Sequence, residues 1–332
     1  MILNVRLALR TLSRTPIVTG VAIVSLALGL GANSAIFSLY DQLLLRTLPV
    51  QDPGTLVNLS APGPVQGSTS CNQAGDCDAV FSYPMFRDLE QKQTVFTGLA
   101  AHRLFGVSLA HKGQPPETGQ GMLVSGSYFP LLGVRPALGR LIGPTDDQSV
   151  GQSAVVVLGF DYWSRRFGAS PAVLNDTLSV NGQTMTIVGV APRGFSGTTP
   201  GTRANVYVPV TMRGSMEAPW SGFEDRKNYW AYLFARRKPG VSLDQAQAAI
   251  NVPYRAILND VEAPLQTGLS DQTRARFKAK QVLLEPGARG QSDIHEQAGA
   301  PLLMLFAVTG VVLLIACANV ANLLLARSAA RA

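Results

Sequence analysis

Two long runs without a charge bracket this chain, and between them apolar positions recur in short alternating stretches. Thr15 to Tyr40 is an uncharged run of 26 residues, and positions 297–326 form a second of 30. At 1.5 Å of rise per residue, either run makes a helix longer than the hydrocarbon core of a bilayer, about 30 Å. The pattern predicts a first transmembrane helix over 16–40, with its apolar core from Ile17 to Leu39, and a second over 299–326, with its core from Pro301 to Ala326. Pro16 suits a first-turn position, where its missing N–H costs nothing. Asp41 closes the first run and Arg327 the second.

The flanks orient these segments. Arg6, Arg10 and Arg14 precede the first, Arg327 and Arg331 follow the second, and neither end carries an acid. By the positive-inside rule both ends are cytoplasmic and residues 41–298 lie outside. Residues 1–15 place Arg6, Arg10 and Arg14 on one helical face and Ile2, Val5, Leu9 and Leu12 on another. They read either as an amphipathic helix on the inner membrane surface or as an extension of the span. A cleaved signal peptide is disfavoured, because the apolar run continues past Ala32–Ala35 through Ile36, Phe37 and Leu39. Ala27, Gly31 and Ala35 recur every four residues beside Gly29 and Asn33, as small residues do where helices approach closely. Asn319 and Asn322 share a face of the second span, where an amide turned to lipid is costly. These seven residues are candidates for helix packing.

The pattern over 41–298 is that of a mixed α+β domain. Residues 61–78 are rich in Gly, Pro, Ser and Asn and read as a surface loop. Helices are expected at Tyr83–Gln93, behind Ser82, at Asp161–Phe167, and after Ser242, whose Asp244 and Gln245 suit a first turn. Tyr128–Gly133 reads as a helical turn ended by glycine. Strands are expected at Leu99–Ala110, Gly119–Val124, Ala154–Leu158, Tyr207–Val210, Tyr229–Ala235 and Phe277–Leu284. The clearest hairpin signal is Asn181-Gly182 between Thr177–Val180 and Gln183–Val188.

Five of the seven net positive charges are the terminal arginines already named. The near-neutral middle argues against nucleic-acid binding. Cys71 and Cys77 sit six apart in the polar loop; outside the cytoplasm a local disulfide is favoured over two free thiols, and Cys317 reads as a small packing residue. No second Cys/His pair stands at zinc-ligand spacing. There is no Walker A pattern and no Gly-x-Ser-x-Gly elbow. His102, His111 and His295 are scattered and are expected to face solvent, and Asp146-Asp147 reads as a solvated pair. No catalytic residue, cofactor or metal is expected.

Several blocks carry a family resemblance. Ser82-Tyr83-Pro84-Met85-Phe86-Arg87-Asp88-Leu89, Val124-Ser125-Gly126-Ser127-Tyr128-Phe129 and Leu132-Gly133-Val134-Arg135-Pro136-Ala137-Leu138-Gly139-Arg140 resemble segments of MacB/FtsX-type ABC transporter permeases. So do Tyr162-Trp163-Ser164-Arg165-Arg166-Phe167-Gly168, the Asn181-Gly182 hairpin running into Val188-Gly189-Val190-Ala191-Pro192, and Leu314 to Arg327. The blocks cover nearly the whole chain in the family's order, and look most like the large subgroup with a duplicated permease half. The resemblance implies a MacB-like periplasmic core at 41–298 between spans of the bacterial inner membrane. It also implies pairing as a homodimer or as paired permease halves, an ABC-type ATPase subunit as partner, and a periplasmic partner protein. The second span would begin an FtsX-like permease domain, and residues 327–332, with Arg327 and Ser328, would begin the segment that meets the ATPase. Because the sequence stops soon after the second span, a fragment of a longer permease is expected. A membrane-anchored sensor or adaptor and a tethered envelope hydrolase are the rival readings.

Overall fold

The computed structural model describes residues 16–329. The chain divides into two compact units, one of Met1–Arg46 with Ile294–Ala332 and one of Thr47–Asp293.

The first unit is a helix pair. Helix α1 spans Pro16–Tyr40 and passes into one π-helical stretch, Asp41–Leu45. Its partner, the last helix of the chain, spans Ile294–Ala329 with Pro301 inside it. Thr19–Tyr40 and Gly299–Asn322 are long and apolar enough to cross a membrane, with mean hydropathy 1.8 and 2.6. Their side chains are not those of core helices, since Leu28 and Leu314 are each 69% exposed.

The second unit is built on one mixed sheet of twelve strands. In chain order the elements are β1 (Leu56–Ser60), β2 (Ser68–Thr69), β3 (Val80–Ser82), α2 (Tyr83–Lys92), β4 (Phe96–Ala110), β5 (Glu117–Val124), α3 (Tyr128–Leu132), β6 (Leu138–Gly139) and β7 (Val155–Leu158). They continue with α4 (Phe160–Phe167), β8 (Thr177–Val180), β9 (Gln183–Val190), β10 (Ala204–Pro209), α5 (Arg213–Met216), β11 (Asn228–Arg237), α6 (Leu243–Ile257), α7 (Asp271–Lys278) and β12 (Leu283–Pro286). The Ile294–Ala329 helix is α8. The sheet runs β12-β1-β11-β4-β5-β10-β7-β9-β6; β2 and β3 also pair with β11, and β8 joins β4 and β9. The pairs β5–β10 and β7–β9 are parallel.

Local chemistry explains several boundaries. Ser82 caps α2 by accepting from the Met85 N–H at 3.3 Å. Ser242 and Gln245 form a reciprocal capping box on α6, at 3.2 and 2.9 Å. Asn181 and Gly182 have φ of 50° and 83°, the left-handed pair a two-residue hairpin requires.

Both sheet faces are covered, so the alternation along β4 sorts its side chains into two cores. Leu99, Ala101, Phe105 and Val107 pack on the side of α2, α4 and α6. Ala100 and Leu104 pack on the other side with Tyr128, Phe129 and Leu132 of α3.

Four expectations are corrected here. His102 is not solvent-exposed; it is fully buried, because β4 is central in the sheet. His111 is partly buried and meets Asp176 Oδ2 at 2.9 Å. Asp146 and Asp147 are buried as well. Arg140 clasps Asp146 through two bonds at 2.6 and 2.9 Å, and Asp147 accepts the Gly126 N–H at 2.9 Å. Finally, Phe277–Leu284 is not one strand. Phe277 is the buried anchor of the last turn of α7, which Ser270 caps, and only Leu283–Pro286 pairs with β1. The alternation of Phe277, Ala279 and Gln281 with lysines mimicked a strand period, and the Ser270 cap decided for helix.

Candidate functional site

A domain held by two connecting segments is moved, if at all, through the places where those segments are rooted. Both roots lie inside the Thr47–Asp293 unit, and they are joined. The Leu48 N–H donates to the Ala288 carbonyl at 2.9 Å, so the incoming and outgoing segments share a backbone hydrogen bond. Leu48 is buried in the α3-side core.

Arg236, near the end of β11, grips the incoming segment. Its Nη2 donates to the Gln51 carbonyl at 2.6 Å, and its Nη1 to the Asp52 carbonyl at 2.9 Å and Thr55 Oγ1 at 2.6 Å. Its Nε donates to the Leu131 carbonyl at 2.8 Å, tying the same guanidinium to α3. A planar fork with fixed donors suits such a role better than an ammonium would. Burial lowers the pKa of Arg236 from its ordinary value while the charge of Asp52 opposes this; the group remains a cation. Gln51 also donates its N–H to the Leu132 carbonyl at 3.1 Å. Beside this clasp lies an open groove bounded by Thr97, Ser127, Pro130 and Pro144.

The outgoing segment is held from several sides. The Gly287 N–H donates to the Leu56 carbonyl at 2.8 Å, and the Gln291 N–H to the Thr198 carbonyl at 2.9 Å. Asn58 Nδ2 donates to the Gly290 carbonyl at 2.8 Å, and Ser292 Oγ to the Pro200 carbonyl at 3.2 Å. Gly290 has φ of 84°, and a Cβ there would stand 2.3 Å from the Thr198 carbonyl oxygen, so the close approach requires glycine. His102 Nε2 lies 3.1 Å from Gln291 Oε1. Because an amide oxygen only accepts, Nε2 carries the proton in this assignment. Burial pushes the imidazole down to about 4, with the Gln291 bond opposing. It is therefore neutral near pH 7, and it sits against the rings of Tyr128, Tyr232 and Phe234.

The third wall is the polar loop. Cys71 and Cys77 are joined by a disulfide. Inside the ring, the Gln73 carbonyl accepts the Asp293 N–H at 3.3 Å. The ring is fastened to the sheet by Asn72 Nδ2 donating to the Leu104 carbonyl at 2.8 Å, and by Tyr232 Oη near the Asn72 and Gly75 carbonyls at 3.0 and 2.8 Å.

The candidate packing residues of the helix pair divide into two groups. Gly29 and Asn33 lie on the seam between α1 and α8. A Cβ on Gly29 would stand 2.9 Å from Leu313 Cδ1. Asn33 Nδ2 donates to the Thr309 carbonyl at 3.2 Å, and Thr309 Oγ1 donates to Asn33 Oδ1 at 3.0 Å. Ala27, Gly31, Ala35, Asn319 and Asn322 are exposed in this chain. Arg327 and Ser328 belong to the end of α8, with side chains outside the described residues; Arg6, Arg10 and Arg14 lie outside them altogether. Arg236, Gln291 and Thr309 were not singled out from the sequence, and His102 was read there only as a solvent-facing residue. Only Thr309, a hydroxyl within an apolar run, left a visible signal there.

Residues 19–252 match the family model described as MacB-like periplasmic core domain. Among solved structures, the periplasmic region of MacB from Actinobacillus actinomycetemcomitans is 14% identical, covering 80% of this chain and 97% of its own, with a TM-score of 0.46. The extracellular domain of the noncanonic ABC-type transporter YknZ from Gram-positive bacteria is 15% identical, covering 69% of this chain and 99% of its own, with a TM-score of 0.44. No curated protein matches.

Proposed function

The chain belongs to the MacB-like periplasmic core domain family of ABC-type transporter permeases, and on that premise we propose that it couples ATP hydrolysis in a partner ATPase to movement of the Thr47–Asp293 domain. In this reading α1 and α8 cross the bacterial inner membrane and the domain stands in the periplasm. Arg6, Arg10 and Arg14 lie at the inner surface, and Arg327 and Ser328 open the segment that meets the ATPase. Ala27, Gly31, Ala35, Asn319 and Asn322 would face further spans or a second copy. A periplasmic partner would receive the movement, and the chain itself would carry out no catalysis.

The observation that supports coupling best is the bond between Leu48 and Ala288. Two helices tied to separate parts of a domain could move without moving it as a body. Here both segments meet at one root, so a shift of either is delivered to the same place on the sheet. Nucleotide acts through such a path only if its states favour different arrangements of the spans.

The test is hydrogen exchange on the chain reconstituted in lipid with the ABC-type ATPase that co-purifies with it. Segments 47–55 and 286–293 are expected to change protection together between nucleotide-free and ATP-trapped states. If no such ATPase co-purifies, the sensor or adaptor reading takes over. If one does and both segments keep the same protection in every nucleotide state, the coupling role is wrong.

A further inference from the structure

A second corner of the outer domain holds polar atoms that its structure leaves unmatched. Helix α6 does not end at Ile257; it widens into a π-helical stretch, Leu258–Glu262, and tightens into a last turn, Ala263–Leu265. Such widenings turn a side chain out of its usual face. Here the side chain of Glu262 is turned inward, only 3% exposed. It lines a small cavity with Tyr229, Tyr254, Phe277 and Lys280.

Glu262 Oε1 and Arg226 Nη1 are buried and have no hydrogen-bond partner among the described residues, and beside them Tyr229 Oη and Gln266 Oε1, also buried, face each other without completing hydrogen-bond geometry. Arg226 Nη1 comes within 3.8 Å of Glu262 Oε1, too far for a hydrogen bond. The guanidinium is committed to Asp88 Oδ2 at 2.7 Å instead. Unmatched buried polar atoms are rare, and where a cavity adjoins them the usual resolution is an internal water with two to four polar neighbours. Tyr229 offers a donor, and Glu262 and Gln266 offer acceptors.

The charges point the same way. The groups facing this corner are Arg226 and Lys280 as cations, and Asp88, Asp78 and Asp225 as anions, with the hydroxyls of Tyr229 and Tyr254. The anions already outnumber the cations, three to two, before Glu262 is counted. A proton on Glu262 keeps that excess from growing, and losing it adds a buried negative charge.

We propose that this corner is a binding site for one water molecule and for an exchangeable proton on Glu262, taken up and released as the surrounding pH changes. Burial pushes the Glu262 carboxyl up to about 7, with Asp88 adding to the rise and Arg226 and Lys280 opposing it. Burial lowers Lys280 to about 8, with Asp78 and Glu262 opposing. Both tyrosines are pushed upward, out of the neutral range. The contact of the α6 extension with the sheet is thus tightest when Glu262 is protonated. It loosens as pH rises from the ordinary carboxylate range through neutrality.

The experiment is a pH titration of the full chain in lipid nanodiscs by difference infrared spectroscopy, following the protonated-carboxyl band. The wild type is expected to show a band that disappears with a midpoint near 7 and is missing in Glu262→Gln. Lys280→Met removes an opposing cation and moves the midpoint upward, which keeps the test open if the Gln variant folds poorly. Tyr229→Phe removes a donor to the water and moves it upward too. Absence of the band near neutral pH, or a midpoint unmoved by Lys280→Met, overturns the proton site. A midpoint unmoved by Tyr229→Phe overturns the water.

Discussion

Replacing Arg236 by alanine is the sharpest probe of the incoming root. The substitution deletes four hydrogen bonds, to the carbonyls of Gln51, Asp52 and Leu131 and to Thr55 Oγ1. A hydrogen bond from a charged donor contributes about 1.5–3 kcal/mol when its ends are buried. Three of these acceptors are not in that position. Gln51 and Asp52 are exposed and Thr55 is partly so, and water will replace the lost donor there. Only Leu131, 8% exposed, leaves a carbonyl in buried surroundings. One bond at full value and three at a small fraction give about 2–3 kcal/mol. A loss of about 2 kcal/mol is roughly a 30-fold rise in local opening. The assay is amide exchange, because Gln51 and Leu48 both donate their N–H within the root, to Leu132 and Ala288. Exchange at those two amides should quicken about 30-fold while β4 and β5 remain protected. Unchanged exchange over 47–55 would show that Arg236 does not hold the segment, and the account of the root would fail with it.

Two further outcomes follow from the outgoing root. Gly290→Ala forces a left-handed backbone and a clash with the Thr198 carbonyl, and should cost about 2–4 kcal/mol. In thermal unfolding that is a fall of about 5–12 °C for a domain of this size. Gly268→Ala, also left-handed at φ of 74° but in open space, should cost only about 1 kcal/mol, and equal losses at the two sites would refute the clash. The second outcome concerns pH. His102 is depressed to about 4 when folded, from the ordinary 6.5, so the unfolded chain binds its proton first. Stability is then lost as pH falls from 6.5 towards 4, by up to about 3 kcal/mol. His102→Gln removes that slope in denaturant titrations at a series of pH values; an identical slope in both proteins would mean that His102 is not neutral and buried in solution.

Much of the fold was readable because its signals are local. Asn181-Gly182 announces a hairpin, Ser242 with Gln245 announces a helix start, and Gly133 ends α3 as expected. The root was not readable. Its key contact pairs Leu48 with Ala288, far apart in sequence, through backbone atoms that every residue carries. Arg236 looks like any basic residue at a strand end, because its partners are carbonyls and not a matching acid. His102 was misjudged for a related reason. A histidine in an alternating stretch faces solvent if one side of the sheet is open, and nothing local revealed that both sides are covered. Phe277 shows the reverse error, a helix anchor whose neighbours imitate a strand.

The pair formed by Asn33 and Thr309 has a mechanical consequence. Two hydrogen bonds cross the seam at one level, and Gly29 receives Leu313 close beside them. Sliding α1 along α8 by a single turn, about 5.4 Å, would strand an amide against aliphatic side chains and drive a backbone into leucine. Axial slippage is therefore the one motion that this pair resists most. Tilting, or travelling as a unit, leaves the peg in its socket.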